Sequence, residues 1–379
     1  MSRRVFLHIG LPKTGTTYLQ TIVWSHRPEL ERAGLLVPGR ERRDHLWASM
    51  VIRDDPKVAR RDPRAPGSWQ VILDQTARWD ADALISHEFF AAASSEQAER
   101  MIESLAPAEV HVVLTAREPL GLFTSSWQES LKNKGTKRLE NYGREESADP
   151  QAIWNWRTLD IGLVLERWAP HVPAERVHII TMPERDAPKD ALWRRFAKLL
   201  GVDPAIADGA EPFPNASMGV VEAEALRRIN ERLQGFQSAF DRGVWIRSFL
   251  ADDRLVPRGG DRFWPGDEQV ADARRRGRAA VHLIHDRGFD VIGDLDGLLV
   301  PHDLPERRHP SSVTDAEVAE VTVALSAQLL GDLKERLGTP GGSSSGAGKS
   351  GGSRPATRPG RDWGEAARSL WGRLRRLGR

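Results

Sequence analysis

At 379 residues the chain can bury a sizeable core and can hold one large domain or two medium ones. It has no cysteine, which excludes disulfides, thiolate metal sites and cysteine nucleophiles, and fits a cytoplasmic setting. The net charge of +2 hides an asymmetry: residues 338–379 carry nine Lys/Arg and two Asp/Glu, a net of +7, which leaves −5 on the body. A mildly acidic body is poorly suited to neutralising nucleic-acid phosphates, so no nucleic-acid partner is expected. No stretch approaches the roughly 18 uninterrupted apolar residues of a membrane span. The N-terminal apolar run is broken by His8 and Pro12 and does not read as a signal peptide.

The first readable element is the run Val5, Phe6, Leu7 and Ile9, short and rich in strand formers, as expected of a buried strand. Thr16, Thr17, Tyr18, Leu19 and Gln20 read as the first turn of a helix, and between the two lies Gly10-Leu11-Pro12-Lys13-Thr14-Gly15. A strand that turns through glycines into a helix aims backbone N–H groups and the positive helix end at one point, which makes an anion cradle. Lys13 adds a point charge, and the hydroxyls of Thr14, Thr16 and Thr17 add donors. The loop departs from G-x-x-x-x-G-K-[ST], because its lysine precedes the second glycine.

Residues 38–67 read as a loop-rich stretch with Glu41, Asp44, His45 and Trp47 near the cleft, and 69–77 as a helix. A second strand is expected over 83–86, followed by His87 and Glu88. Ser94-Ser95-Glu96-Gln97 has the form of a capping box opening a helix that runs to about 105. The third strand, 110–115, ends at Arg117-Glu118-Pro119, since proline pushes the preceding residue from helical angles. Helices are expected over 120–132, 153–168, 190–200, 217–233, 267–287 and 314–337, a fourth strand over 177–181, and a polar loop over 133–150. Alternating strands and helices predict an α/β fold: three layers, a central mostly parallel sheet, and a mainly helical C-terminal half. The domain reading is 1–337 as the α/β body, 338–361 as a flexible Gly/Ser/Pro linker, and 362–379 as a basic amphipathic helix.

The third strand carries a second signal: Arg117 at its end and Ser125 eight positions on. Ligands of open parallel sheets bind beyond the carboxyl ends of the strands, and an arginine fork with a hydroxyl suits a phosphate monoester. The P-K-T-G-T-T loop and the R-x7-S pair together resemble the sulfotransferases that use 3′-phosphoadenosine-5′-phosphosulfate (PAPS). The resemblance covers 3–25 and 110–130 firmly and fades after about 230. It implies that Lys13 contacts the phosphosulfate, that Gly15, Thr16 and Thr17 hold its 5′ end, and that Arg117 and Ser125 hold the 3′-phosphate. The family's later R-K-G motif has only loose echoes, at Arg242-Gly243, Arg258-Gly259 and Arg276-Gly277.

The implied reaction moves a sulfuryl group from PAPS to a hydroxyl or amine of a glycan, lipid or small metabolite. It needs no metal, and no spacing such as H-E-x-x-H is present. Four residues are candidates for the base: His87, Glu88, Glu41 and His45, with His87 favoured and Glu88 next. Trp47, Trp127, Trp154 and Trp156 are candidate stacking surfaces for the acceptor. Two rival readings are a P-loop kinase or NTPase, which would want an aspartate for Mg²⁺ where Thr115 and Arg117 stand, and a non-catalytic binding protein on the same scaffold. In the tail, Trp363, Ala366, Ala367, Leu370, Trp371, Leu374 and Leu377 share one helical face, which suits weak peripheral membrane contact.

Overall fold

The computed structural model describes residues 2–144, 146–184, 186–208 and 217–337. The chain divides into two units, 1–327 and 328–379, and the described part of the second, 328–337, is helical. The linker and tail helix expected over 338–361 and 362–379 lie outside the described residues.

The first unit is built on one sheet of six parallel strands in the order β2-β3-β1-β4-β5-β6. The strands are β1 (Arg4–Gly10), β2 (Leu35–Leu36), β3 (Asp82–Ser86), β4 (Glu109–Ala116), β5 (Val177–Thr181) and β6 (Asp290–Ile292). The apolar run of the sequence is the central strand, and from Val5 to Gly10 every residue is buried. Such near-continuous burial is what a parallel strand covered on both faces requires. The two edge strands were not foreseen. β2 has two residues and β6 has three, too few for any periodicity to show.

Helices α1 (Thr16–Ser25), α2 (Arg27–Arg32), α3 (Arg42–Ile52), α4 (Ser68–Arg78) and α5 (Ser95–Glu103) precede β4. α3 replaces part of the loop expected over 38–67. α5 opens with the expected capping box, both halves of it formed between Ser94 and Gln97. α6 (Pro119–Lys132) follows β4. The helix expected over 153–168 is two short ones, α7 (Trp156–Leu159) and α8 (Ile161–Trp168), separated where Asp160 caps the second through the Leu163 N–H. Then come α9 (Ala191–Leu200), stopped by Gly201, α10 (Val220–Arg232), a π-helical segment Asp241–Leu255, α11 (Asp267–Arg287) and α12 (Asp315–Leu337). On one face of the sheet, Leu19, Ile22 and Val23 of α1 and Leu192, Trp193 and Phe196 of α9 pack on Phe6, Leu84, Val113 and Ile180. Among the described residues no helix is long and apolar enough to cross a membrane.

The chain leaves β1, builds β2 and β3 on one side, then crosses to place β4 on the other. The strand order therefore reverses beside the carboxyl end of β1, which is where open α/β sheets take ligands.

Candidate active site

Three adjacent strand ends build the site. The register pairs His8 with Ser86 on one side and Gly10 with Leu114 on the other. Leu11 N–H donates to Thr115 O at 2.8 Å and His87 N–H to His8 O at 3.0 Å, so the loops after β1, β3 and β4 leave the sheet side by side.

Below the loop lies a buried polar floor. Thr14 Oγ1 donates to Leu11 O at 2.5 Å and lies 2.7 Å from Thr115 Oγ1. Thr115 Oγ1 is 3.1 Å from His8 Nε2, and His8 Nδ1 is 2.8 Å from Ser86 Oγ. Because Thr14 already donates, Thr115 donates to it and accepts from His8 Nε2–H, and Ser86 donates to His8 Nδ1. Burial pushes His8 down to about 4, so the imidazole is neutral and every member of the chain is satisfied. Thr14 thus corrects one expectation: its hydroxyl ties the loop to the sheet and does not face a ligand.

Above this floor, α1 begins without a side-chain cap, and the N–H groups of residues 15–18 meet no protein acceptor among the described residues. Thr16 is buried beside them and Thr17 is exposed. Lys13 sits at φ 68°, a conformation unusual for a side-chain-bearing residue and found where the surroundings hold it. Its ammonium donates to Glu129 Oε2 at 3.0 Å. Burial first, and then Lys132 and Arg247, lower its pKa to about 8, so it is cationic at neutral pH. Glu129 is buried and is shared with Arg247 of the π-helical segment, while Lys132 pairs with Asp252 at 2.6 Å.

The second point of positive charge is at the head of α6. Glu118 caps the helix, accepting the Gly121 N–H at 2.8 Å. Arg117, one-third exposed, lies against Gly121 and 3.6 Å from Glu118. A Cβ added at Gly121 would stand 2.5 Å from Arg117 Nη2 and closer still to Glu118 Oε1, so only glycine leaves room for this pair. Gly121, Ser125 and Glu129 are spaced i, i+4, i+8 and share one face of α6. That face runs from Arg117 past the half-buried Ser125 to the carboxylate holding Lys13, about 12 Å at 1.5 Å per residue.

The loop after β3 supplies the third wall. A Cβ on Gly10, itself at φ +87°, would stand 2.7 Å from Glu88 Cβ and 2.8 Å from its Cα, so the glycine lets this loop press against the cradle. Gln20 Nε2 donates to Glu88 Oε2 at 3.0 Å. Burial works against the Glu88 charge, but His87, the backbone, Gln20 and Arg42 outweigh it and hold the pKa below its usual value. His87 is differently placed. Its Nδ1 accepts the Phe89 N–H at 3.1 Å, and burial lowers its pKa. In that neutral tautomer Nε2 carries the proton, so neither nitrogen is ready to accept another.

The other candidates are engaged elsewhere or buried in the core. His45 is fully buried, accepts the Ser86 N–H at 3.1 Å and donates to Pro38 O at 2.7 Å, so both nitrogens hold the scaffold together. Glu41 pairs with Arg64 at 2.9 Å. Trp47, Trp127 and Trp156 are buried; Trp154 alone of the four is half-exposed, edge-on to Phe89 at 6.1 Å. Of the three Arg-Gly echoes, Arg258 pairs with Glu222, and Arg276 pairs with Asp160 and Glu146 and stacks on Trp156. Among the described residues no group of three or more His, Asp or Glu is arranged to hold a metal ion.

No protein-family model matches the chain, and no curated protein does. Among solved structures, a sulfotransferase from Alicyclobacillus acidocaldarius is similar, with a TM-score of 0.38 and 18% sequence identity over 61% of this chain and 93% of that one.

Sequence reasoning missed Glu129, Gln20, Arg42 and Arg247. Glu129 had a signal, its i+4 spacing from Ser125. Arg247 had none, because a π-helix, with its i to i+5 bonds, does not produce the 3.6-residue pattern by which helices are read.

Proposed function

We propose that the protein is a sulfotransferase that moves a sulfuryl group from PAPS to a hydroxyl or amine. The observation that supports this reading is the single face of α6 that joins two cationic points, Arg117 with Ser125 towards one end and Lys13, held by Glu129, at the other. A nucleoside bearing a phosphate at each end matches two cationic points set apart in this way. A nucleotide with all its phosphates at the 5′ end would leave Arg117 unused.

In this reading the N–H groups of residues 15–18 and Lys13 hold the 5′ end. Lys13 exchanges Glu129 for the phosphate, and Arg247 remains to neutralise Glu129. The acceptor oxygen or nitrogen forms its bond to sulfur as the bond from sulfur to the bridging phosphate oxygen breaks. Glu88 takes the acceptor's proton, and the charge released onto the leaving phosphate meets Lys13 and the helix N-terminus. Glu88 is preferred over His87 as the base because its carboxylate is ionised and His87 Nδ1 is already engaged. His87, through its cap on the turn carrying Glu88, supports it.

The test is transfer of labelled sulfate from PAPS, screened across glycans, phenols, lipids and small metabolites. Glu88→Gln should abolish transfer and keep affinity for adenosine 3′,5′-bisphosphate. Full activity in Glu88→Gln with loss in His87→Ala would return the base to His87.

A further inference from the structure

Glu88 is held from outside its own loop by a two-step contact. Arg42, on α3, donates to Gln20 Oε1 at 2.9 Å and to Thr21 Oγ1 at 3.2 Å. Gln20, on α1 and buried, donates from Nε2 to Glu88 Oε2 at 3.0 Å. The orientation of the amide is fixed by chemistry. A guanidinium can only donate, so it selects the oxygen; a carboxylate can only accept, so it selects the NH₂. With the amide reversed, both contacts would be repulsive. Gly10 also closes against the Glu88 backbone, so the residue is held at its main chain as well as at its carboxylate.

We propose that Gln20 and Arg42 are positioning residues for Glu88: Arg42 sets the direction of the Gln20 amide, and Gln20 holds one carboxylate oxygen so that the other, Oε1, is left for the acceptor's proton. Oε1 has no side-chain donor among the described residues. The inference rests on the reading of Glu88 as the base. The charged and titratable groups around Glu88 are His87 on its own turn, His8 on β1, Lys13 in the cradle, Arg42 on α3 and Arg247 in the π-helical segment. Of these, Arg42 alone is joined to the carboxylate through a neutral side chain. The relay therefore adds a donor to the charged form without adding an ion pair that the acceptor would have to displace.

The experiment titrates the Glu88 carboxyl in full-length protein with ¹³C-carboxyl-labelled glutamate, the resonance being identified by its loss in Glu88→Gln. Removing one hydrogen bond from the charged form should raise the titration midpoint by about one pH unit in Gln20→Leu. Arg42→Ala should shift it in the same direction, Arg42→Lys should restore it, and the double variant should shift it less than the sum of the singles. Should Gln20→Leu fail to fold, Gln20→Asn, which keeps the amide but shortens it, is expected to give the same shift. An unchanged midpoint in the Gln20 variants, or strictly additive shifts, would overturn the relay. Sulfate transfer distinguishes this failure from failure of the functional reading. If Glu88→Gln abolishes transfer but the Gln20 variants leave the midpoint unmoved, the base stands and the relay falls. If the midpoint moves as expected but Glu88→Gln transfers normally, the relay exists and the role of Glu88 as base falls, and with it the role proposed for the relay.

Discussion

The two ends of the sheet use the same strands for opposite purposes. At the amino ends, charges answer one another. Arg4 of β1 pairs with Asp82 of β3, Glu109 of β4 accepts from His111 at 2.8 Å and from Arg176 at 2.9 Å, and His178 of β5 is bonded to Asp290 of β6 at 2.7 Å. At the carboxyl ends the N–H groups of residues 15–18 have no protein partner among the described residues, Lys13 is held in a left-handed conformation, and Arg117 keeps a loose contact at 3.6 Å. Paired charge holds strands together. Donors left over at a rigid edge suit an anion, because the scaffold beneath them, the Thr14–Thr115–His8–Ser86 chain, is already satisfied.

Breaking the carboxyl end should cost activity first. Glu88→Gln is expected to lower turnover by about 10²–10⁴, the usual contribution of a general base, measured as sulfate transfer under saturating PAPS. Lys13→Ala should lower turnover by about 10²–10³ while weakening product binding less, since its charge matters most as the leaving phosphate forms. Burial, with Lys132 and Arg247 nearby, pushes Lys13 down to about 8. Nucleotide affinity should therefore fall as pH rises through 8, and Lys13→Arg, which stays charged, should flatten that fall.

The floor should set acid stability. His8 and His45 are both pushed down to about 4, chiefly by burial. Unfolding lets each take up a proton at its ordinary pKa near 6.5, so their stabilisation is complete above pH 6.5 and disappears as pH falls to 4. The loss is about 3 kcal/mol for each by the end of that window. Chemical denaturation between pH 7 and 4.5, a range above most carboxylate titration, should show the decline, and a flat profile would contradict the neutral, buried state of these rings.

The smallest effect should come from the amino end. Arg4→Ala removes an exposed ion pair, worth about 0–1 kcal/mol in melting experiments, and should leave nucleotide affinity unchanged. A large loss of affinity would mean that the two ends are not separable.

Much of this division was legible in the sequence. The buried run of β1, the turn at 10–15 into α1 and the end of β4 before α6 were readable because each is local, a strand or helix signal plus a residue type fixed by its position. The capping box at Ser94 was readable for the same reason, and both of its bonds form. The roles of His45 and Thr14 were not, because a histidine or threonine near a loop looks the same whether its polar atoms face solvent or a strand. Two of their partners, Ser86 for His45 and Thr115 for Thr14, come from distant segments. Glu129 and Gln20 escaped because their significance lies in what they touch: Lys13 is 116 positions from Glu129, and Gln20 is 68 from Glu88. Helix propensity says nothing about such pairs.

The central claim is that two separated anion sites face one nucleoside, and calorimetry tests it most directly. Adenosine 3′,5′-bisphosphate should bind wild-type protein, and ATP with Mg²⁺ should bind much more weakly. Arg117→Ala should cost about 1.5–3 kcal/mol, roughly tenfold or more, in affinity for the bisphosphate. Equal affinity of wild type and Arg117→Ala, or tighter binding of ATP than of the bisphosphate, would contradict the account.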